Sequence, residues 1–485
     1  MKSLILFYVM VFPICVNGQI EKSLDSLVSS YHAAGLFNGV ALVADAKGIV
    51  FQKGFGNANH AYGIKNTPKT IFNIGSLSKP FTAIIILKLI EEGLLSFETR
   101  ISDVLPDYRK DVGQRVTIHH LLTHTSGIPS YTALPNVWND SMQLSYNSSY
   151  ILQKFCSNDL EFEPGTKYAY GNSGYYILAM IIERVTQKSL SEVLREKITS
   201  TLGMNSTGID DNTTPVKNKS RGYYRIADVY IDEPYIYNLN LIGASGIHTT
   251  AADLYLLDRA LYGTLLLKPK SIEMITSLKH SVNKSYGYGY GWEFETVHLG
   301  EKDSVMVMQH SGAVRAFRAI LFRIVSESKC IVLLSNSSDE SAYAIFEGMM
   351  SIFRNRPWTK PKKILADTLY QILTRVSVDK MKDYYNEKIK KDPELAPLRL
   401  MQLEFLGERL MLLRRFRQAI EVFQLAVDDN SEYANGFYYL GRCYERLNET
   451  DKAITHYKIA AAKSEGPRPK ADALFQVRYL ERLKK

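Results

Sequence analysis

Residues 72–93 read FNIGSLSKPFTAIIILKLIEEG, and no other stretch limits the fold of this chain so tightly. A Ser-x-x-Lys pair, Ser76 and Lys79, leads directly into an apolar run from Phe81 to Ile90. The run is shorter than the ~20 residues that cross a bilayer, so it reads as a core helix. Gly75 lets the backbone turn tightly before the serine. Pro80 suits the first turn of a helix, where its missing N–H goes unused. The expectation is Ser76 at a helix N-terminus, with the helix running to Glu92 and ended by Gly93. Residues three apart share a face, which brings the Lys79 amine to the Ser76 hydroxyl. Apolar surroundings disfavour the charged amine, lower its pKa and make the lysine a usable base. The same spacing recurs at Ser281 and Lys284, Ser326 and Lys329, and Ser377 and Lys380, but no core-type helix follows there. Those pairs read as solvated turns or helix faces. In isolation Ser76 would read as a capping serine beside a surface lysine; the downstream motifs decide otherwise.

With 485 residues, 46% of them hydrophobic, the chain has material for a large core and two or three domains. The net charge of +9 includes no dense Lys/Arg block, so no nucleic-acid partner is expected. Residues 1–18 read as a secretory signal: Lys2, an apolar centre over 4–16, and a cut ahead of Gln19. A lipoprotein signal at Cys15 ranks lower, because Ile14 is bulky where a small residue is wanted. The mature chain carries no transmembrane segment and is expected to be exported, to the periplasm or beyond. Cleavage leaves Cys156, Cys330 and Cys443, which show neither a disulfide framework nor metal-ligand spacing. No metal and no cofactor are expected.

In chain order, 20–34 is patterned as an amphipathic helix, and 39–44 with 49–54 as a hairpin. Residues 116–122 lead into the loop His124-Thr125-Ser126-Gly127, and a tyrosine-bearing loop covers 129–150. Helices are expected at about 174–186, 251–261 and 341–354, and strands at 304–309, 317–325 and 330–335. Residues 286–292 start a further strand, and tyrosine-rich 223–240 reads as strands or a wall. Strands at both ends with helices between them predict one antiparallel sheet joining the two ends.

After Pro357 the pattern turns helical. Leu406-Gly407, Ala419, Phe423 and Ala426 recur as Leu440-Gly441, Ala453, Tyr457 and Ala460, each 34 residues on. That is the period of tetratricopeptide repeats. Glycine and alanine let paired helices approach, and the aromatic fills the groove between them. A weaker unit, with Tyr385 and Pro393, precedes these, and 470–483 caps the array. A generic helical bundle is the alternative. Such an array offers a groove to a protein partner. The domains are therefore 1–18, 19–357 and 358–485.

Further motifs follow the serine in a set order. Tyr170-Gly171-Asn172 comes after Pro164-Gly165, and His310-Ser311-Gly312 follows the predicted strand 304–309. With Ser76-Leu77-Ser78-Lys79 and the His124 loop, the segment from about 39 to 335 resembles the serine β-lactamase and penicillin-binding-protein superfamily. The likeness is to its class C-like branch of β-lactamases, esterases and D-amino-acid peptidases. The resemblance implies an α+β fold, with a β-lactamase-like antiparallel sheet flanked by helices, a helical subdomain, and then the all-α repeats.

It also implies roles. Ser76 attacks an acyl carbon, Lys79 takes its proton or poises the pair, and Tyr170 shuttles a proton to the leaving group. Which of Lys79 and Tyr170 is the formal base stays open. Asn172 donates to the substrate amide or orients Lys79. The oxyanion is met by the N–H of Ser76 at its helix start and that of Ala313. His310, Ser311 and Gly312 line the substrate side. The bland readings are a buried tyrosine, an Asn172 helix cap and a core His310; His124 is read as structural. His310 stands where the family carries lysine. With an ordinary pKa of about 6.5 it is mostly neutral at pH 7. Arg315 is the candidate for the missing positive charge. No acidic residue is evident as a separate deacylation base. The leading reading is an exported serine hydrolase acting on an ester, amide or D-amino-acid peptide. The alternative is a non-catalytic receptor or scaffold whose repeats bind a protein. Turnover of p-nitrophenyl acetate against Ser76→Ala separates them.

Overall fold

A computed structural model describes residues 14–134, 137–138, 141–300, 303–338, 341–362, 364–392, 395–465 and 467–483. Most of the expected signal segment, and Pro393, lie outside them. The first helix, α1 (Ile14–Ala33), runs through the expected cut ahead of Gln19.

The centre is one antiparallel sheet. Its strands are β1 (Gly39–Asp45), β2 (Gly48–Phe55), β3 (His280–Ser281), β4 (Tyr286–Tyr288), β5 (Glu293–Gly300), β6 (Asp303–Val314), β7 (Phe317–Ile324) and β8 (Lys329–Ser335). Their order is β3-β4-β5-β6-β7-β8-β1-β2. As expected, the two ends of the segment meet: Gly39 pairs with Ser335 and Ala44 with Cys330. β1 is apolar from Val40 to Ala44 because both faces are covered there. Val40 and Leu42 join a core with α2 (Lys79–Glu91) and α3 (Asn172–Thr186), while Ala41 and Val43 join one with α1 and α5 (Ala342–Phe353). Between them in sequence, α4 (Ala251–Ala260) packs on the first of these cores.

One local expectation needs correcting. Ser76 is not on the α-helix but in a 3₁₀ turn, Gly75–Ser78, and α2 begins at Lys79. Pro80 has no N–H to offer the ladder, and the turn closes through Leu77 N–H to the Ile74 carbonyl (3.1 Å) and Lys79 N–H to the Ser76 carbonyl. A 3₁₀ turn eclipses residues three apart, so Ser76 and Lys79 align at least as well as on an α-helix.

Residues 223–240 divide into two parts. Tyr223–Ile226 and Val229–Asp232 form a separate hairpin rather than a wall of the sheet. Ile226 is buried among Leu365, Leu369 and Leu403 of the C-terminal helices. Arg225 forks onto Asp367 at 2.7 and 2.6 Å, and Asp367 also accepts Ala227 N–H at 2.8 Å. The later part packs on the 131–146 loop, with Tyr131 Oη donating to the Asn240 carbonyl at 2.6 Å.

Beyond residue 363 the described chain is helical: α6 (Leu365–Arg375), α7 (Val378–Lys391), α8 (Arg399–Leu412), α9 (Phe416–Asp429), α10 (Ala434–Arg446), α11 (Thr450–Lys463) and α12 (Pro467–Leu483). A Cβ on Gly407 of α8 would lie 2.3 Å from the Phe423 ring of α9, and one on Gly441 of α10 2.8 Å from the Tyr457 ring of α11. Each glycine thus receives the aromatic ring sixteen residues later.

Candidate active site

The cleft starts from two glycines. Gly75 takes φ +52°, a conformation that favours glycine, and a Cβ there would lie 2.7 Å from Ala313 N. A Cβ on Gly312 would lie 1.8 Å from the Ile74 carbonyl oxygen and 2.9 Å from Leu77 N. Strand β6 therefore lies backbone-to-backbone on the turn that carries Ser76. On its other side β6 pairs with β5 only as far as Glu293 opposite Gln309. Among the described residues, His310–Val314 thus keeps one edge free of strand pairing, while the other pairs with β7. An edge of this kind presents backbone N–H and carbonyl groups to an incoming ligand. Ala313 is exposed on that edge and Ser76 is half-buried.

Lys79 is 0% exposed. Its Nζ lies 2.9 Å from Ser76 Oγ, 2.8 Å from Asn172 Oδ1 and 3.0 Å from the Ala244 carbonyl oxygen. Burial pushes the amine well below its ordinary pKa, and the Glu293 carboxylate works against that shift. Asn172 does not cap its helix; Gly171 holds the N-cap position. Its side chain instead accepts from Lys79 and donates Nδ2–H to Thr132 Oγ1 at 2.8 Å, and its N–H reaches Ser130 Oγ at 3.0 Å.

Tyr170 shows 40% of its surface to solvent, yet its hydroxyl, which interacts with Ser76, behaves as an enclosed group. Desolvation raises its pKa, the Ser76 hydrogen bond lowers it, and Glu293 adds to the rise. The ring stands 4.9 Å from Lys79 Nζ. His310 is 1% exposed. Its Nε2 lies 3.0 Å from Tyr288 Oη and its Nδ1 2.6 Å from the Ser311 carbonyl oxygen. The carbonyl can only accept, so Nδ1 carries the proton and Nε2 accepts from the tyrosine. Burial and the nearby Lys79 push His310 down to about 3, so it is neutral at pH 7. The structure thus brings Ser76, Lys79, Tyr170, Asn172 and the edge from His310 to Ala313 together.

Arg315 sits just past that edge, in the β6–β7 turn at φ +49°. Its guanidinium donates to the Trp138 carbonyl at 3.1 Å and stands 5.1 Å over the Trp138 ring. The Ala316 N–H beside it donates to Glu233 Oε2 at 3.0 Å. Among the described residues no group of three or more His, Cys, Asp or Glu is placed to hold a metal ion.

Several partners escaped the sequence reading. Ala244 reaches Lys79 only through its carbonyl, which carries no side-chain signal. Thr132 and Ser130 lie in the tyrosine-bearing loop 129–150, where nothing in the sequence separates them from its other polar residues. Glu293 is an acidic neighbour of the cleft where none was expected. Burial first, then Glu295, raise it to about 7, while Lys79 lowers it. It follows Trp292 in the Tyr-Gly run, and only its pairing opposite Gln309 shows that it joins the strand that carries the cleft edge.

A serine and a buried lysine in one turn, facing an unpaired strand edge, define the class: serine hydrolases built on this sheet-and-helix sandwich. The Beta-lactamase family model matches residues 24–348, and the chain belongs to that family, within the β-lactamase and penicillin-binding-protein-like serine hydrolases. Penicillin-binding protein 4* of Bacillus subtilis (strain 168) is 28% identical over 361 residues, covering 71% of this chain and 78% of that protein. The crystal structure of a penicillin binding protein from Bacillus halodurans matches with a TM-score of 0.59 and 27% identity, over 68% of this chain and 98% of that one. A D-amino acid amidase from Ochrobactrum anthropi SV3 shares the fold, with a TM-score of 0.60 and 22% identity, over 70% of this chain and 99% of that one.

Proposed function

We propose that this chain is an exported acyl-transferring serine hydrolase, working through an ester on Ser76 Oγ with an ester, amide or D-amino-acid peptide as substrate. The observation that carries the reading is the Lys79 amine, wholly buried and within hydrogen-bond reach of three oxygens. A neutral amine has two N–H donors and one lone pair. The Asn172 and Ala244 oxygens, which can only accept, take the two donors, and the lone pair is left for the Ser76 O–H. Lys79 is then the base. After transfer, its third N–H points at the serine oxygen.

Tyr170 keeps its phenol proton, because burial raises its pKa above the ordinary value. It is the acid that protonates the leaving group, and its bond to Ser76 places that proton beside the reacting oxygen. The developing oxyanion is met by the N–H groups of Ser76 and Ala313, held close by the contact of Gly75 and Gly312. Such donors are each worth about 10²–10³ in rate. Neutral His310 fixes the edge strand through Tyr288 rather than supplying charge. Arg315, two residues past Ala313 in the β6–β7 turn, supplies it for anionic substrates. No metal or cofactor takes part in this scheme.

The C-terminal helices are read as a tetratricopeptide-like array that docks a protein partner. The 34-residue period and the paired glycine–aromatic contacts support that reading. Among the described residues no helix is long and apolar enough to cross a membrane. Export rests on the residue pattern of 1–18.

The experiment is turnover of p-nitrophenyl acetate by the full chain. The expected result is saturable hydrolysis that Ser76→Ala lowers by about 10³-fold or more. Equal rates for the two proteins would favour the scaffold instead. Nitrocefin, short esters and D-Ala-D-Ala peptides then rank the substrate classes.

A further inference from the structure

His124 holds a place that a purely structural histidine would not need. It takes a left-handed conformation, φ +57°, in the loop before the tyrosine motif. Its carbonyl accepts the N–H of Ala169 at 2.9 Å, and its ring Nδ1 accepts the N–H of Gly171 at 3.3 Å. These are the two residues flanking Tyr170. The imidazole also lies against the Tyr170 ring itself, 4.4 Å between centroids, with Tyr288 at 4.6 Å and Tyr175 at 5.1 Å. One residue therefore grips the tyrosine from before, from behind and across its face. The loop is itself pinned, since the Thr125 carbonyl accepts Gly165 N–H at 2.8 Å.

The proton is assigned by the same contacts. Because Nδ1 accepts from Gly171, it carries no proton, and the neutral ring bears its N–H at Nε2. Nε2 is buried and has no hydrogen-bond partner among the described residues. A histidine kept only for packing would be replaced without loss by an apolar ring, which leaves no buried N–H unmatched. The Nδ1 acceptor is the part that packing does not explain. Protonation would set N–H against N–H at Gly171, and the surroundings oppose it. Burial comes first, and Lys79 and then His310 also disfavour a positive charge there.

We propose that His124 is the positioning residue for Tyr170: its Nδ1 and carbonyl clamp the backbone on both sides of the tyrosine, so that the phenol meets Ser76 in reactive alignment. The proposal rests on the reading of Tyr170 as the proton donor at Ser76. It predicts that His124 acts on the chemical step and only through Tyr170.

The test compares His124→Phe, which keeps a ring and loses the acceptor, with His124→Asn, whose Oδ1 can accept from Gly171 and whose backbone tolerates positive φ. Both are assayed with p-nitrophenyl acetate alongside wild type, and each is checked for native melting. His124→Phe is expected to lower kcat by about 100-fold, as a misplaced group near the chemistry does. KM should stay within about twofold and His124→Asn should recover most of the loss. In a Tyr170→Phe background, His124→Phe should cost less than about twofold, because the group it serves is gone. Equal losses in both backgrounds would overturn the proposal, as would His124→Asn failing alongside His124→Phe. If His124→Phe does not fold, the Asn comparison is made against His124→Leu, with the same two outcomes. Failure of the underlying function is separate: it shows as wild-type turnover that Ser76→Ala leaves unchanged.

Discussion

The cleft and the C-terminal helices are both built on glycines that let something come close, and they put the closeness to opposite uses. At Gly75 and Gly312 backbone meets backbone, and the result holds Ala313 N against the turn that carries Ser76. At Gly407 and Gly441 an aromatic ring enters the space, and the result is buried apolar area between helices. The cleft also keeps groups that reduce stability: a lysine without solvent, a neutral buried histidine, and His124 and Arg315 in left-handed backbone. On the proposed function, the glycine contacts of the cleft serve chemistry at a cost in stability, and those of the helices serve packing. The same substitution in the two places should therefore fail in different ways.

The largest effect expected is at Lys79. Lys79→Met should lower ester turnover by about 10³-fold or more, because the amine proposed as the base for Ser76 is gone. Thermal melting should fall little, since an apolar chain replaces a buried amine. A large fall in melting together with modest activity loss would break the contrast at its strongest point. Next is Gly312→Ala. Its Cβ would meet a backbone oxygen that cannot move aside, so the strand must lift from the serine turn. Steady-state turnover should drop by about 10²-fold, as for a displaced oxyanion donor.

Gly407→Ala and Gly441→Ala are the counterpart. Overpacking against Phe423 or Tyr457 should destabilise the helices by about 1–3 kcal/mol. Urea unfolding and hydrogen exchange over 399–463 would report it, with turnover within about twofold of wild type. A smaller effect sharpens the account of the cleft. Glu293 raises the pKa of Lys79 against the stronger lowering by burial. Glu293→Gln removes that carboxylate, so Lys79 loses its proton at a lower pH. The acidic limb of kcat/KM should move down. A move upward would contradict the assignment of Lys79 as base. The smallest effect is at a surface pair such as Lys463 with Glu432, 2.6 Å apart and partly solvated. Glu432→Ala should change stability by under about 0.5 kcal/mol in thermal melts.

The serine turn was legible in sequence because its logic is local. Gly75, Ser76, Lys79 and Pro80 lie within one turn, and the apolar run after them fixes burial. The repeat was legible as a period, and its glycine–aromatic contacts occur where the overlay placed them. The 3₁₀ character of the Ser76 turn was not, because residues three apart meet in either helix. Asn172 read equally well as a cap, and only its 2.8 Å contact with Lys79, 93 residues away in sequence, separates the two uses. Residues 223–240 read as strands or a wall, and the hairpin Tyr223–Ile226 with Val229–Asp232 is there, but nothing in its pattern showed that Ile226 and Arg225 tie it to the helices. Tyrosine-rich composition marks half-buried surface without saying which surface covers it. His124 read as structural because a lone histidine carries no sign of the backbone groups it accepts.

The central claim is a covalent ester on one oxygen, and intact-protein mass spectrometry after brief mixing with an activated acyl ester tests it most directly. The account predicts a mass gain of one acyl group, mapped by peptide digestion to Ser76 and absent from Ser76→Ala. Hydrolysis by the wild type with the adduct on another residue, or with an equal adduct in Ser76→Ala, would contradict it.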